Sequence, residues 1–227
     1  MSTPTSSQPT TESSLHSPKR RKFRIVGIWL SAVWLVLVVG GLSYLLSYEN
    51  GPGFAASSPQ RLPIESRIQG DGVHYTLIML AHPKCPCTRA SIGELASVMA
   101  HSQGRVKSFV LFLRPDGFSD SWERTDLWQS AASIPGVEVL TDSDGNEARR
   151  FQAATSGQTL LYDASGRLVF SGGITAARGH SGDNAGKSAI VSMVNSETPD
   201  QTATPVFGCP LFNPEECQRS EHETNEH

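Results

Sequence analysis

Apolar residues fall into one long run near the N-terminus and a series of short segments after it. The long run, from Ile25 to Tyr48, has 24 consecutive residues without a charge. About 20 apolar residues in a helix cross the hydrocarbon core of a bilayer, so this run predicts a single transmembrane helix. The basic cluster at 19–24 predicts a cytoplasmic N-terminus and a periplasmic or otherwise extracytoplasmic domain, anchored in the inner (cytoplasmic) membrane. A cleaved signal peptide is the alternative, although its apolar region is normally only about 7–15 residues long.

The short segments alternate between strand patterns and helix patterns. The predicted strands are 72–81, 106–113, 137–141, 159–163 and 167–171, and the predicted helices are 88–101, 119–133, 146–154 and 185–195. Alternating units favour parallel strands, and the last two strands form an antiparallel hairpin, so the chain predicts an α/β sandwich. The predicted domain covers 64–196. It is flanked by a disordered basic tail (1–24), a linker (49–63) and a C-terminal tail (197–227).

Charge and cysteine content narrow the range of functions. After residue 48 the chain carries 14 basic and 21 acidic residues, so its folded part is mildly acidic and gives no electrostatic reason to bind nucleic acid. The four cysteines are too few for a disulfide scaffold and form two pairs along the chain. One pair, Cys85 and Cys87, lies between the first predicted strand and the first predicted helix. The other, Cys209 and Cys217, lies in the predicted tail.

The Cys85-Pro86-Cys87 segment is the candidate reactive site. The thiolate is the reactive form of cysteine, and the N–H groups and dipole at a helix N-terminus favour that charge. His82 and Arg89 could add positive charge nearby. We expect Cys85 to attack and Cys87 to resolve the mixed disulfide. A bridge across one residue closes a small, strained ring, so we expect an oxidising or isomerising couple rather than a strong reductant.

The order of elements, with paired cysteines at the first strand–helix junction, resembles the thioredoxin superfamily. Within it, the segments 82–88, 160–166 and 172–186 look like those of membrane-tethered bacterial thiol–disulfide proteins of the RedB type. The resemblance implies a thioredoxin-like fold, thiol–disulfide oxidoreductase activity on protein thiols or a redox partner protein, and no cofactor. Two departures stand out. The family usually spaces its cysteines by two residues, and it has a cis-proline where this chain has Gly157.

Two other activities fit the same residues. Thiolates and imidazole suit copper(I), so Cys85, Cys87 and a histidine (His82 or His180) could form a copper site like those of metallochaperones on this fold. A peroxide-reducing enzyme, similar to peroxiredoxins, needs a hydroxyl and an arginine beside the attacking cysteine. Thr88, with Arg89 or Arg178, could supply them.

Two features outside the Cys85–Cys87 segment leave alternatives open. Cys209 either reaches the main site as a resolving thiol or ligand, or forms a local structural disulfide with Cys217. The Gly-rich stretch with Arg178 and His180 is either a surface loop with a helix cap at its end, or a rim of the active site that tunes thiolate charge.

Overall fold

The N-terminal unit is a single long helix. The computed structural model describes residues 18–54 and 57–212, which divide into two compact units between Tyr48 and Glu49. Helix α1 (Pro18–Asn50) confirms the helix predicted from the apolar run, and an 18-residue window of its segment Arg24–Asn50 has a mean hydropathy of 2.4. This segment is long and apolar enough to cross a membrane. A signal sequence has the same properties, so the transmembrane assignment and its orientation stay predictions.

The second unit is built on one five-stranded mixed sheet. Its elements are β1 (Tyr75–Ala81), α2 (Pro86–His101), β2 (Val106–Arg114), α3 (Asp126–Ala132), β3 (Val137–Ser143), α4 (Asn146–Arg150), β4 (Gln158–Tyr162), β5 (Leu168–Gly172) and α5 (Ala185–Val194). The strand order is β3-β2-β1-β4-β5. Strands β1 to β3 are parallel, while β4 runs antiparallel to both β1 and β5. This arrangement confirms the predicted α/β sandwich and its closing hairpin.

The central strand β1 contributes to the core on both faces of the sheet. Successive side chains of a strand point to opposite faces, and Leu77 and Met79 pack in a cluster with residues of α2, α3 and α5. Ile78 and Leu80 pack on the other face, in a cluster that includes Ala148 of α4. All four β1 side chains are at most 1% exposed. Burying each of these side chains contributes about 1.5–3 kcal/mol to the stability of the fold. Strand β1 therefore holds the start of the loop that follows it in a fixed position.

The predicted helix 119–133 is shorter in the structure. Helix α3 begins only at Asp126, after Thr125. The N–H groups of Trp122 and Arg124 bond to carbonyls three residues earlier, as in turns. The Thr125 hydroxyl donates to the carbonyl of Pro83 at 3.0 Å, which ties this segment to the loop before α2. The predicted helix is therefore wrong for residues 119–125.

Chain segments on both sides of the predicted domain pack against its edge strand β5. Leu168 donates its N–H to Gln60, in the predicted linker, and Ser171 donates to Thr202, in the predicted tail. Ser58, also in the linker, is only 7% exposed. An edge strand has unpaired backbone groups that favour such pairing. The folded unit thus extends beyond 64–196 on both sides. Cys217 lies outside the described residues.

Candidate thiol–disulfide site

Cys85 lies immediately before helix α2. It is the N-cap residue, in an extended backbone conformation (φ −88°, ψ 117°), and Pro86 begins the helix. Proline suits this position because it lacks an N–H group that would otherwise have no partner in the helix, and because its fixed φ matches a helix. The Cys85 side chain therefore lies at the positive end of the α2 dipole, as the sequence predicts. It is only 1% exposed.

Cys209 lies directly against Cys85. The two sulfur atoms are 2.9 Å apart, and the backbone N–H of Cys209 donates to the Cys85 sulfur at 3.4 Å. Cys85, Cys87 and Cys209 are all free thiols. Of the two roles that the sequence leaves open for Cys209, this position is the one that a resolving thiol or a ligand requires.

The three thiols differ in acidity. Burial would raise the pKa of Cys85, but hydrogen bonds from the thiol and N–H of Cys209 and from Thr88 outweigh it and lower the pKa below its ordinary value. Burial and the negative charge of Cys85 raise the pKa of Cys87. Burial, then the hydrogen bond to Cys85, raises the pKa of Cys209 to about 12. Cys85 is therefore the thiol that ionises most readily, as the prediction that it attacks requires.

A buried hydroxyl pair connects the cysteine loop to the segment before β4. The Thr88 and Ser156 hydroxyl oxygens are 2.7 Å apart, and the backbone N–H of His82 donates to the Ser156 hydroxyl at 2.8 Å. The Ser156 N–H donates to the carbonyl of Cys209 at 2.8 Å. Ser156 thus contacts the strand–helix loop and the Cys209 segment together. Ser156 was not predicted from the sequence as a site residue. It immediately precedes Gly157, the position where the family usually has a proline.

Arg178 brings positive charge to the cysteines, and His180 does not. A guanidinium N–H of Arg178 donates to the carbonyl of Gly208. Arg178 also bonds to Cys87 and partly offsets the rise in the pKa of that thiol. His180 is exposed, and its Nδ1 lies 2.9 Å from the carbonyl of Arg178, to which it donates. The structure therefore brings only the first of these two candidates into contact with the cysteines.

Several proteins of solved structure are similar to this one. A hypothetical protein from Sinorhizobium meliloti is 17% identical, with a TM-score of 0.54 over 70% of this chain and 96% of that one. An uncharacterized conserved protein from Geobacillus kaustophilus is 15% identical, with a TM-score of 0.51 over 73% and 94%. A secreted Mycobacterium tuberculosis disulfide oxidoreductase homologous to E. coli DsbE is 19% identical, with a TM-score of 0.35 over 42% and 66%. The fold is thioredoxin-like. No protein-family model and no curated protein matches the chain.

Gly157 gives this thioredoxin-like domain a backbone that proline could not adopt. It has φ +90°, whereas the proline ring fixes φ near −65°. Its N–H, which proline lacks, donates to the carbonyl of Leu80 at 2.7 Å. A Cβ atom at this position would lie 2.8 Å from the Ser91 hydroxyl oxygen. The departure from the family's proline is therefore part of the local fold.

The other charged candidates are engaged away from the sulfur atoms. The Arg89 guanidinium is exposed and pairs with Asp126. The His82 ring packs edge-on against Trp122, with ring centres 5.7 Å apart. Burial, and then the charge of Lys84, lowers the pKa of His82, so its imidazole is neutral at pH 7. His82 therefore supports the loop by hydrogen bonding and packing rather than by charge.

Proposed function

We propose that the domain is an extracytoplasmic thiol–disulfide oxidoreductase, tethered to the inner membrane by α1, with Cys85 as the attacking thiolate. The observation that carries the proposal is the environment of Cys85. Its thiol lies at the N-terminus of α2 and accepts hydrogen bonds that lower its pKa. The apolar helix and the basic cluster before it support the location. The segments that resemble RedB-type proteins support the same class of activity.

The exchange reaction proceeds in two displacements. The Cys85 thiolate attacks one sulfur of a partner protein's disulfide, forming a mixed disulfide and releasing the partner's other sulfur as a thiolate. A second cysteine of the domain, as its thiolate, then attacks the Cys85 sulfur and releases the partner's remaining thiolate. The partner gains two electrons and the domain becomes oxidised. In the opposite direction, the oxidised domain oxidises a partner dithiol. In the predicted CPC mechanism, the second cysteine is Cys87.

The proposal is tested with the full chain in detergent micelles. Insulin reduction and oxidation of a reduced peptide dithiol are measured for the wild type and for the Cys85→Ser variant, which differs by one atom. We expect the substitution to abolish both reactions. Cys87→Ser tests the predicted resolving step, because under the CPC mechanism it should stop turnover after the mixed disulfide on Cys85 has formed. A Cys85→Ser variant with wild-type rates would refute the proposal. The reduction potential against glutathione tests the oxidising character, and a value as low as that of thioredoxin, about −270 mV, would contradict it.

Copper(I) binding is the second candidate function. The observation that favours it is the contact between the thiols of Cys85 and Cys209, because soft thiolate ligands select copper(I). The described residues include no group of three or more histidines, cysteines or carboxylates arranged to hold a metal ion. Titration of the reduced chain with copper(I) against a competing chelator tests this function. His180→Ala should leave the affinity unchanged if only thiols bind, and should lower it if the predicted set of Cys85, Cys87 and His180 is the site.

A further inference from the structure

The segment that carries Cys209 is closely fitted to the domain. Residues 204–212, here called the C-terminal strap, run antiparallel to the chain before β4. Pro210 pairs with Thr155, and the N–H of Leu211 donates to the carbonyl of Ala154 at 2.8 Å. A Cβ atom at Gly208 would lie only 1.9 Å from the carbonyl oxygen of Ser156, so only glycine allows this approach. These contacts fix the position of Cys209.

The strap also closes the site. Cys85 is 1% exposed, while the thiol and the N–H of Cys209 both contact its sulfur. A disulfide of another protein must bring one of its sulfur atoms into contact with the Cys85 sulfur, which has almost no exposed surface while the strap is in place. The strap must move away from Cys85 before exchange begins.

We propose that Cys209, rather than Cys87, resolves the mixed disulfide on Cys85, and that the C-terminal strap moves aside to admit the partner protein and then returns. This inference rests on the proposed oxidoreductase function. The oxidised form of the domain then carries a Cys85–Cys209 disulfide. The partner's disulfide supplies the oxidising equivalents, and its two sulfurs leave as thiolates.

The geometry favours Cys209 over Cys87. The sulfur atoms of Cys85 and Cys209 already lie 2.9 Å apart, so a bond needs a movement of only about 1 Å. A bridge to Cys87 would instead have to close across Pro86, the first residue of α2, within a single helical turn. The Cys87 thiol hydrogen-bonds to Cys85 as well, but it is also held by a hydrogen bond with Arg178.

The chemistry of the resolving step is compatible with the weak acidity of Cys209 in the free domain. Burial is the largest cause of that weak acidity, followed by the hydrogen bond to Cys85 and the charge on Cys85. The last two causes are lost once the Cys85 sulfur is bonded to the partner. The positive charge of Arg178 remains and favours the Cys209 thiolate. The proton of Cys209 passes to the partner thiolate released in the first displacement, so the exchange balances without another reactant.

The test follows a mixed disulfide in the full chain in detergent. Reduced wild type, Cys87→Ser and Cys209→Ser are mixed with oxidised glutathione, quenched with an alkylating agent, and analysed by peptide mass spectrometry. We expect Cys85–glutathione to persist at least tenfold longer in Cys209→Ser than in wild type, and Cys87→Ser to behave as wild type. The linked peptide in oxidised wild type should join Cys85 to Cys209.

Two results would overturn the inference, and they differ in what they say of the proposed function. In the first, the glutathione adduct on Cys85 disappears from Cys209→Ser at the wild-type rate, and the linked peptide joins Cys85 to Cys87. The assignment of Cys209 then fails, while the oxidoreductase function stands. If Cys85 forms no adduct in any variant, both fail. Circular dichroism of each variant checks that the fold is retained, and Cys209→Ala provides a second substitution at the same position.

Discussion

Oxidation is expected to stabilise this domain strongly, because the proposed disulfide joins residues far apart in the chain. Cys85 and Cys209 are separated by 124 positions. Constraining the unfolded chain over a loop of that length corresponds to about 5 kcal/mol of stability in the chain-entropy relation. A bridge between Cys85 and Cys87 closes a loop of about three residues, for which the same relation gives about 1.5 kcal/mol. The two candidate disulfides therefore differ in a quantity that can be measured.

The corresponding change in melting temperature is large. For a domain of this size, 1 kcal/mol shifts the midpoint by about 2–4 °C, so oxidation through Cys209 should raise it by about 10–20 °C. The bridge to Cys87 would raise it by about 3–6 °C. Thermal melting of the reduced and oxidised full chain in detergent, followed by near-ultraviolet circular dichroism, measures the difference. The Cys87→Ser variant should keep the whole gain, and Cys209→Ser should lose most of it.

Cys85→Ser serves as the control, because it removes a cysteine common to both bridges and should show no gain on oxidation. The reasoning would be refuted by a Cys209→Ser variant that is stabilised by oxidation as much as wild type. It would also be refuted by a wild-type gain of only a few degrees when mass spectrometry shows complete oxidation. In either case the contact between Cys85 and Cys209 would be a packing contact without a redox role.

Three further substitutions test the surroundings of the thiols. Thr88→Val removes a hydrogen bond that lowers the pKa of Cys85. The pKa of Cys85 should therefore rise, and its alkylation at pH 7 should slow several-fold. An unchanged pH profile of the alkylation rate would contradict this. Gly208→Ala should displace the strap and speed alkylation of Cys85 at least tenfold, with Gly93→Ala as the control because a Cβ there meets no atom within 4 Å. Gly157→Pro should destabilise the domain by about 3 kcal/mol or more in urea unfolding, since it combines an incompatible φ with the loss of a backbone hydrogen bond; a stability equal to wild type would refute the account of Gly157.

Local patterns predicted the parts of the fold that depend on short stretches of sequence. The apolar run before Tyr48, the start of α2 after Cys85 and the β4–β5 hairpin all carry strong local signals, and the structure confirms them as secondary structure. The prediction of a helix at 119–133 was wrong for its N-terminal part. Tertiary contacts there, such as the hydrogen bond from Thr125 to the carbonyl of Pro83, favour turns.

The candidate site was only partly predictable, because its members come from distant segments. The position of Cys85 at a helix N-terminus follows from residues next to it in sequence. The contact with Cys209 depends on how the chain after α5 returns across the sheet edge, and no local pattern encodes that path. Ser156 was missed for the same reason, since its hydroxyl is recognisable as part of the site only when its contacts with Thr88 and Cys209 are known.

Both flanking segments pair with β5, and this pairing determines which fragments of the chain can be studied on their own. Cutting the chain at the predicted boundaries, 64 and 196, would remove Gln60 and Thr202, the backbone partners of Leu168 and Ser171. The backbone N–H and carbonyl groups of β5 would then be unpaired and could bond to a second molecule. Such pairing is a common cause of edge-to-edge aggregation. The same cut would also remove Cys209. A fragment that keeps residues 57–212 retains both the covered edge and the third thiol.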